Sequence, residues 1–159
     1  MENVFEEEQK FADKAIMLLV LIPLLIFMAI GFTTGDLLVP GIIMLCLVLV
    51  SLLIYFLKLN VRIDEKGVHY RYFPFHTTYR LQPWSDIRQY RVMKVNAITD
   101  FGGIGLRYKS KTVGYIINSK FGIEMERNNG RFIVVSLTRK EEAEAAMQYF
   151  FELYRSAPL

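Results

Sequence analysis

AIMLLVLIPLLIFMAIGF, residues 15–32, and LLVPGIIMLCLVLVSLLIYFL, residues 37–57, decide how this chain is read. Neither stretch carries an ionisable side chain apart from Cys46 and Tyr55. At about 1.5 Å rise per residue, each is long enough as a helix to cross a hydrocarbon core of roughly 30 Å. Thr33-Thr34-Gly35-Asp36 between them has room only for a tight reversal. The reading is a membrane α-helical hairpin over 15–57, with spans at 15–33 and 37–57. It follows an acidic N-terminal segment, 1–14, and precedes a domain over 58–156.

Lys and Arg set the expected orientation. The reversal has none, whereas Lys10 and Lys14 flank one side and Lys58, Arg62 and Lys66 the other. The positive-inside rule counts these residues and not net charge, so both termini are expected to be cytoplasmic. Within the apolar stretches, Pro23 is expected to kink its helix, and Pro40 falls in a first turn where its missing N–H costs little. Gly31 and Gly35 fit both a helix-association spacing and the geometry of the reversal. The single cysteine, Cys46, excludes an intrachain disulfide and a Cys-rich metal site.

The net charge of +3 hides a split. Residues 1–14 hold Glu2, Glu6, Glu7, Glu8 and Asp13 against Lys10 and Lys14, a net −3. Residues 58–159 hold 17 Lys+Arg against 10 Asp+Glu, a net +7. The N-terminal segment reads as a short helix, either continuing into the first span or lying at the membrane interface, with Val4, Phe5, Phe11, Ala12 and Ala15 near one face.

From Leu59 the periodicity changes to two, the signature of strands. Leu59, Val61 and Ile63 alternate with polar residues, then Asp64-Glu65-Lys66-Gly67 supplies a hairpin turn. Further strands are expected over Val68–Phe73, Thr77–Leu81, Ile87–Val95 and Val113–Asn118. Two more, over Ile123–Arg127 and Arg131–Leu137, flank Asn128-Asn129-Gly130, and Asn-Gly between alternating runs is a strong hairpin signal. Gly102, Gly103 and Gly105 mark a bulge or a close backbone approach. The chain closes on a helix. Thr138 and Glu141 form a capping box, and Ala143, Ala146, Met147, Phe150 and Tyr154 make one apolar stripe.

This order resembles bacterial pleckstrin-homology-like (PH-like) domains attached to a two-span membrane hairpin. The residues that carry the resemblance are Ile63-Asp64-Glu65-Lys66-Gly67-Val68, Tyr79-Arg80-Leu81-Gln82-Pro83-Trp84-Ser85-Asp86-Ile87 and Phe101-Gly102-Gly103-Ile104-Gly105-Leu106-Arg107. The resemblance implies an α+β or all-β domain: about seven antiparallel strands in two orthogonal sheets, with one open end plugged by the C-terminal helix. It implies a bacterial inner-membrane protein, multi-pass, with the domain on the cytoplasmic face.

No catalytic, cofactor or metal constellation stands out in the residues. His69 and His76 are the two histidines and neither has a ligand companion at short spacing. Gly102-Gly103-Ile104-Gly105 lacks the G-K-[ST] of a phosphate loop. Ser85-Asp86 reads as a turn. The expectation is a non-catalytic interaction or scaffold module held at the membrane, whose partner is a protein or a second copy of the chain, with no nucleic acid involved. The alternative is a sensor of anionic lipid headgroups or other anions through a basic face made of Arg62, Arg71, Arg80, Arg88, Arg91 and Lys94. The acidic residues Glu6, Glu7 and Glu8 are expected to contact the basic domain, with Arg88, Arg91 and Lys94 as one face for them.

Overall fold

A computed structural model describes residues 4–10, 14–34, 38–117 and 120–156. The chain divides into two compact units, residues 1–9 with 58–159, and residues 10–57.

The smaller unit is a pair of helices, α1 (Lys14–Thr34) and α2 (Leu38–Phe56), packed on one another. α1 runs through Pro23. Thr33 Oγ1 returns a hydrogen bond to the Ile30 carbonyl at 2.9 Å, and Ser51 Oγ one to the Leu47 carbonyl at 2.5 Å. These hydroxyls are thereby satisfied within their own helix. Leu25, Ile26, Leu45 and Leu49 are more than half exposed. The reversal at 35–37, with Gly35 of the Gly31/Gly35 pair, lies outside the described residues.

Among the described residues, no helix is long and apolar enough to cross a membrane. The two-span assignment falls on this finding. The integral-membrane partner, the inner-membrane localisation and the cytoplasmic placement of both termini rested on it and fall with it.

The larger unit holds two sheets and a terminal helix. The first sheet has the order β1-β2-β3-β4: β1 (Phe5–Lys10), β2 (Lys58–Asp64), β3 (Gly67–Phe73) and β4 (Arg80–Pro83). A 3-10 turn, Trp84–Asp86, leads to the second sheet. Its order is β5-β8-β9-β7-β6: β5 (Ile87–Lys94), β6 (Gly105–Lys109), β7 (Thr112–Ile116), β8 (Phe121–Arg127) and β9 (Phe132–Leu137). A five-residue helix, α3 (Ala97–Phe101), joins β5 to β6, and α4 (Lys140–Ser156) ends the described chain.

The local signals act where the alternating pattern is clean. β2 and β3 pair from Lys58↔Phe73 to Asp64↔Gly67, so Leu59, Val61, Ile63, Tyr70 and Tyr72 face inward. Gly67 sits at φ 145°, and a Cβ there would meet the Gln82 carbonyl oxygen of β4 at 2.2 Å. Glycine is therefore needed both for the turn and for the approach of β4. Trp84 seals this corner, 2% exposed, its Nε1 donating to the Asp64 carbonyl at 2.9 Å. β8 and β9 are joined through Asn128-Asn129-Gly130, with Gly130 at φ 71°. α4 turns Ala143, Ala146, Met147 and Phe150 into the core, while Tyr154 stays 43% exposed.

Four expectations give way. Nine strands are described where about seven were expected. They are not all antiparallel, because β7 and β9 pair in parallel from Thr112↔Phe132 to Tyr115↔Val135. The β6–β7 hairpin attaches to the outer edge of β9, while β8 fills the inner edge between β5 and β9. The N-terminal segment is a strand and not a helix: Phe5, Glu7 and Gln9 are buried in alternation with Glu6, Glu8 and Lys10. Finally, β4 starts at Arg80, after a loop holding the cis peptide Phe73–Pro74.

Candidate functional site

The six basic residues do not make one face. Arg62, Arg71 and Arg80 belong to the first sheet, and Arg88, Arg91 and Lys94 to β5 at an edge of the second. Several already have carboxylate partners. Arg62 Nε lies 3.2 Å from Asp64 Oδ2, Arg88 Nη1 3.6 Å from Glu126 Oε1, and Arg91 Nε 2.5 Å from Glu124 Oε2. Arg71 donates to Asn60 Oδ1 at 3.4 Å and stacks its guanidinium 4.9 Å from the centre of the Tyr79 ring. Pairing of this kind turns a row of arginines into a solvated charged surface with little net field.

The acidic residues lie elsewhere than against Arg88, Arg91 and Lys94. β1 carries them into the first sheet. The Glu7 side chain is 6% exposed, and its carboxylate accepts from the Thr138 and Arg139 amides, both at 2.8 Å. Those amides lead into α4, so the carboxylate at the start of this helix comes from the far end of the sequence. Arg139 also donates to the Glu6 carbonyl and packs 4.9 Å over the Phe5 ring. Glu8 is 3.6 Å from Lys58 Nζ and accepts from Asn60 Nδ2 at 3.2 Å. Beside them, Gln9 donates to the Ser136 carbonyl at 2.7 Å and accepts from Ser136 Oγ at 3.1 Å. This polar seam is buried and locks β1 to the β9–α4 corner.

Two other regions stand out. The first is a cleft of about 670 Å³ between the end of β5, α3 and the start of β8. Val95, Ile104 and Phe121 supply apolar lining, Lys94 and Lys120 cationic groups, Asp100 an acidic one, and Ile98, also in the lining, stands 76% exposed. α3 is held rigidly: Asn96 Oδ1 accepts from the Ile98 and Thr99 amides, and Gly102 ends the helix at φ 70°.

The second region gathers tyrosines where the two sheets meet. Tyr70 and Tyr115 approach with ring centres 4.7 Å apart, Tyr72 lies 6.5 Å from Tyr115, and His76 lies 5.7 Å from it. Arg80 Nη1 donates to the Tyr115 hydroxyl at 3.5 Å. The Tyr72 hydroxyl and His76 Nδ1 are buried with no hydrogen-bond partner among the described residues. Burial pushes the Tyr72 hydroxyl up to about 12, with the Arg107 charge opposing it. Burial also raises Tyr115, against the Arg80 charge. His76 is held below its ordinary value by burial first and by Arg80 second. The phenols are therefore neutral donors near neutral pH, and the imidazole favours its uncharged form.

His69 is locally bonded, its Nε2 3.1 Å from Asp64 Oδ1, and no group of three metal-ligating side chains occurs among the described residues. Tyr115 and Ile98 have no role in the sequence reading, and Arg107 enters it only as the end of the Phe101–Arg107 stretch. The glycine cluster at 102–105 is a signal for Arg107 alone, whose guanidinium lies against Gly103. No family model matches the chain, and no curated protein or solved structure matches it.

Proposed function

We propose that the larger unit is a non-catalytic, PH-like interaction module that docks a segment of a partner protein in the cleft between β5, α3 and β8. The observation that carries this reading is Ile98: a branched aliphatic side chain, 76% exposed, on the rim of a lysine-bearing cleft of about 670 Å³. Exposed apolar surface rimmed by polar groups marks a site for a partner. The partner segment has an apolar anchor for Val95, Ile104 and Phe121, and acidic residues for Lys94 and Lys120. Support for the PH-like assignment is the order of elements: two sheets, then a C-terminal helix burying one stripe.

The test is peptide selection on the full chain, with an Ile98→Glu variant as counter-target. Wild type is expected to enrich acidic peptides with an aliphatic or aromatic anchor, and the variant to lose them. Enrichment that is equal on both proteins overturns the cleft as the docking site.

A further inference from the structure

The second sheet has two edge strands, and they differ. At β5, Arg155 of α4 donates to the Arg88 carbonyl at 3.4 Å, and Arg88 and Arg91 have carboxylate partners in Glu126 and Glu124. At β6, among the described residues, no backbone hydrogen bond reaches the strand from outside its ladder with β7. The ladder fixes which groups are left over. Lys109↔Thr112 closes a two-residue turn, so that pair exchanges both ladder bonds. Bonded and unbonded pairs alternate, which turns the N–H and C=O groups of Leu106 and Tyr108 away from β7. Such a row of unmade bonds is a template for another strand.

The side chains of β6 define which strand fits. Arg107 and Lys109 fall on one face and Tyr108 on the other. All three are exposed, Tyr108 by 74%. Neither cation has a carboxylate partner among the described residues: Lys109 Nζ donates to the Asp100 carbonyl at 2.9 Å, and the Arg107 guanidinium lies against Gly103. A second copy of β6 is a poor match, since antiparallel pairing would set Arg107 and Lys109 against the same cations of that copy. A strand with carboxylates at alternate positions instead places an acid opposite each cation and an apolar side chain beside Tyr108.

We propose that the β6 edge docks an extended acidic segment of a partner protein, which adds antiparallel as a sixth strand of the five-stranded sheet. Main-chain bonds to Leu106 and Tyr108 supply affinity, and Arg107 and Lys109 select acidic residues at every second position. The cleft between β5, α3 and β8 is a separate site with its own cations, Lys94 and Lys120.

The experiment is fluorescence anisotropy of a labelled peptide of alternating glutamate and valine titrated with the full chain, beside an alternating lysine–valine peptide. Saturable binding is expected for the glutamate peptide alone. Tyr108→Pro removes an outward N–H without breaking a bond to β7 and should weaken binding by about tenfold or more. Tyr108→Ala, which keeps that N–H, should weaken it less. Reversing both cations, Arg107→Glu with Lys109→Glu, should transfer binding to the lysine peptide, a gain that a misfolded chain would not show. Ile98→Glu should leave binding unchanged, which separates this edge from the cleft. Thermal melting establishes that each variant is folded. The proposal is overturned by absence of binding, by equal binding of the two peptides, or by a Tyr108→Pro effect no larger than that of Tyr108→Ala. It is equally overturned if the double reversal leaves the preference for glutamate in place, or if Ile98→Glu abolishes binding, which would seat the peptide in the cleft.

Discussion

Replacing Glu7 by alanine tests how the N-terminal strand is tied to the rest of the larger unit. The side chain is 6% exposed and accepts two backbone amides at 2.8 Å, those of Thr138 and Arg139. Losing a helix cap costs about 1 kcal/mol, and a negative charge at a helix start contributes about 0.3–1 kcal/mol. Arg139, whose Nε is 3.7 Å from Glu7 Oε2, is 44% exposed, so this ion pair adds about 0–1 kcal/mol. Removing the carboxylate also empties space in a closed seam. Together these put Glu7→Ala at about 2–3 kcal/mol, and Glu7→Gln, which keeps one acceptor, at about half of that. For a unit of this size the alanine variant should melt about 10 °C lower. Trp84 is the sole tryptophan, buried and 6.0 Å from Phe151 of α4, so its fluorescence follows the docking of that helix. The wild-type contact should persist in 0.5 M salt, because it is buried. A Glu7→Ala protein within about 0.5 kcal/mol of wild type would refute the capping argument, since that is the range of a neutral surface change.

Other outcomes follow from the same packing. Asp86 feels burial raising its carboxyl, but Gln82 at 2.7 Å and Arg127 at 2.7 Å outweigh it, and the net effect lies below the ordinary value. A depressed native value means the stabilisation is present above about pH 4, the unfolded value, and is lost as pH falls through the native one. Asp86→Asn should therefore flatten the acid limb of a stability–pH curve measured by urea unfolding. Met147 is fully buried in α4, and Met147→Ala should cost about 2–5 kcal/mol in the same assay. Gly67→Ala forces a side chain into φ 145° and into the Gln82 carbonyl, and should destabilise by at least about 1–3 kcal/mol. Tyr72→Phe removes a buried hydroxyl that has no hydrogen-bond partner among the described residues, so it should melt at or above the wild-type temperature.

The sequence by itself determined what is local. Alternation plus a glycine turn produced β2–β3, Asn-Gly produced the β8–β9 hairpin, and the 3.6 spacing of Ala143, Ala146, Met147 and Phe150 produced the buried stripe of α4. Each signal comes from residues that are neighbours in the chain. β1 was invisible because two of its three inward residues, Glu7 and Gln9, are polar, and a polar residue reads as exposed until its partners are known. Those partners, Thr138, Arg139 and Ser136, lie more than 120 residues away. Hydropathy likewise pointed to two membrane spans, a reading that the described helices do not sustain. The parallel β7–β9 pair depends on which sheet edge was left open, and no alternation pattern records that. The tyrosine cluster is the sharpest case. Tyr72 reads as an ordinary core aromatic, and Arg80 as one more surface cation. Only the meeting of two sheets brings them beside Tyr115 and His76 and leaves the Tyr72 hydroxyl buried with no hydrogen-bond partner among the described residues.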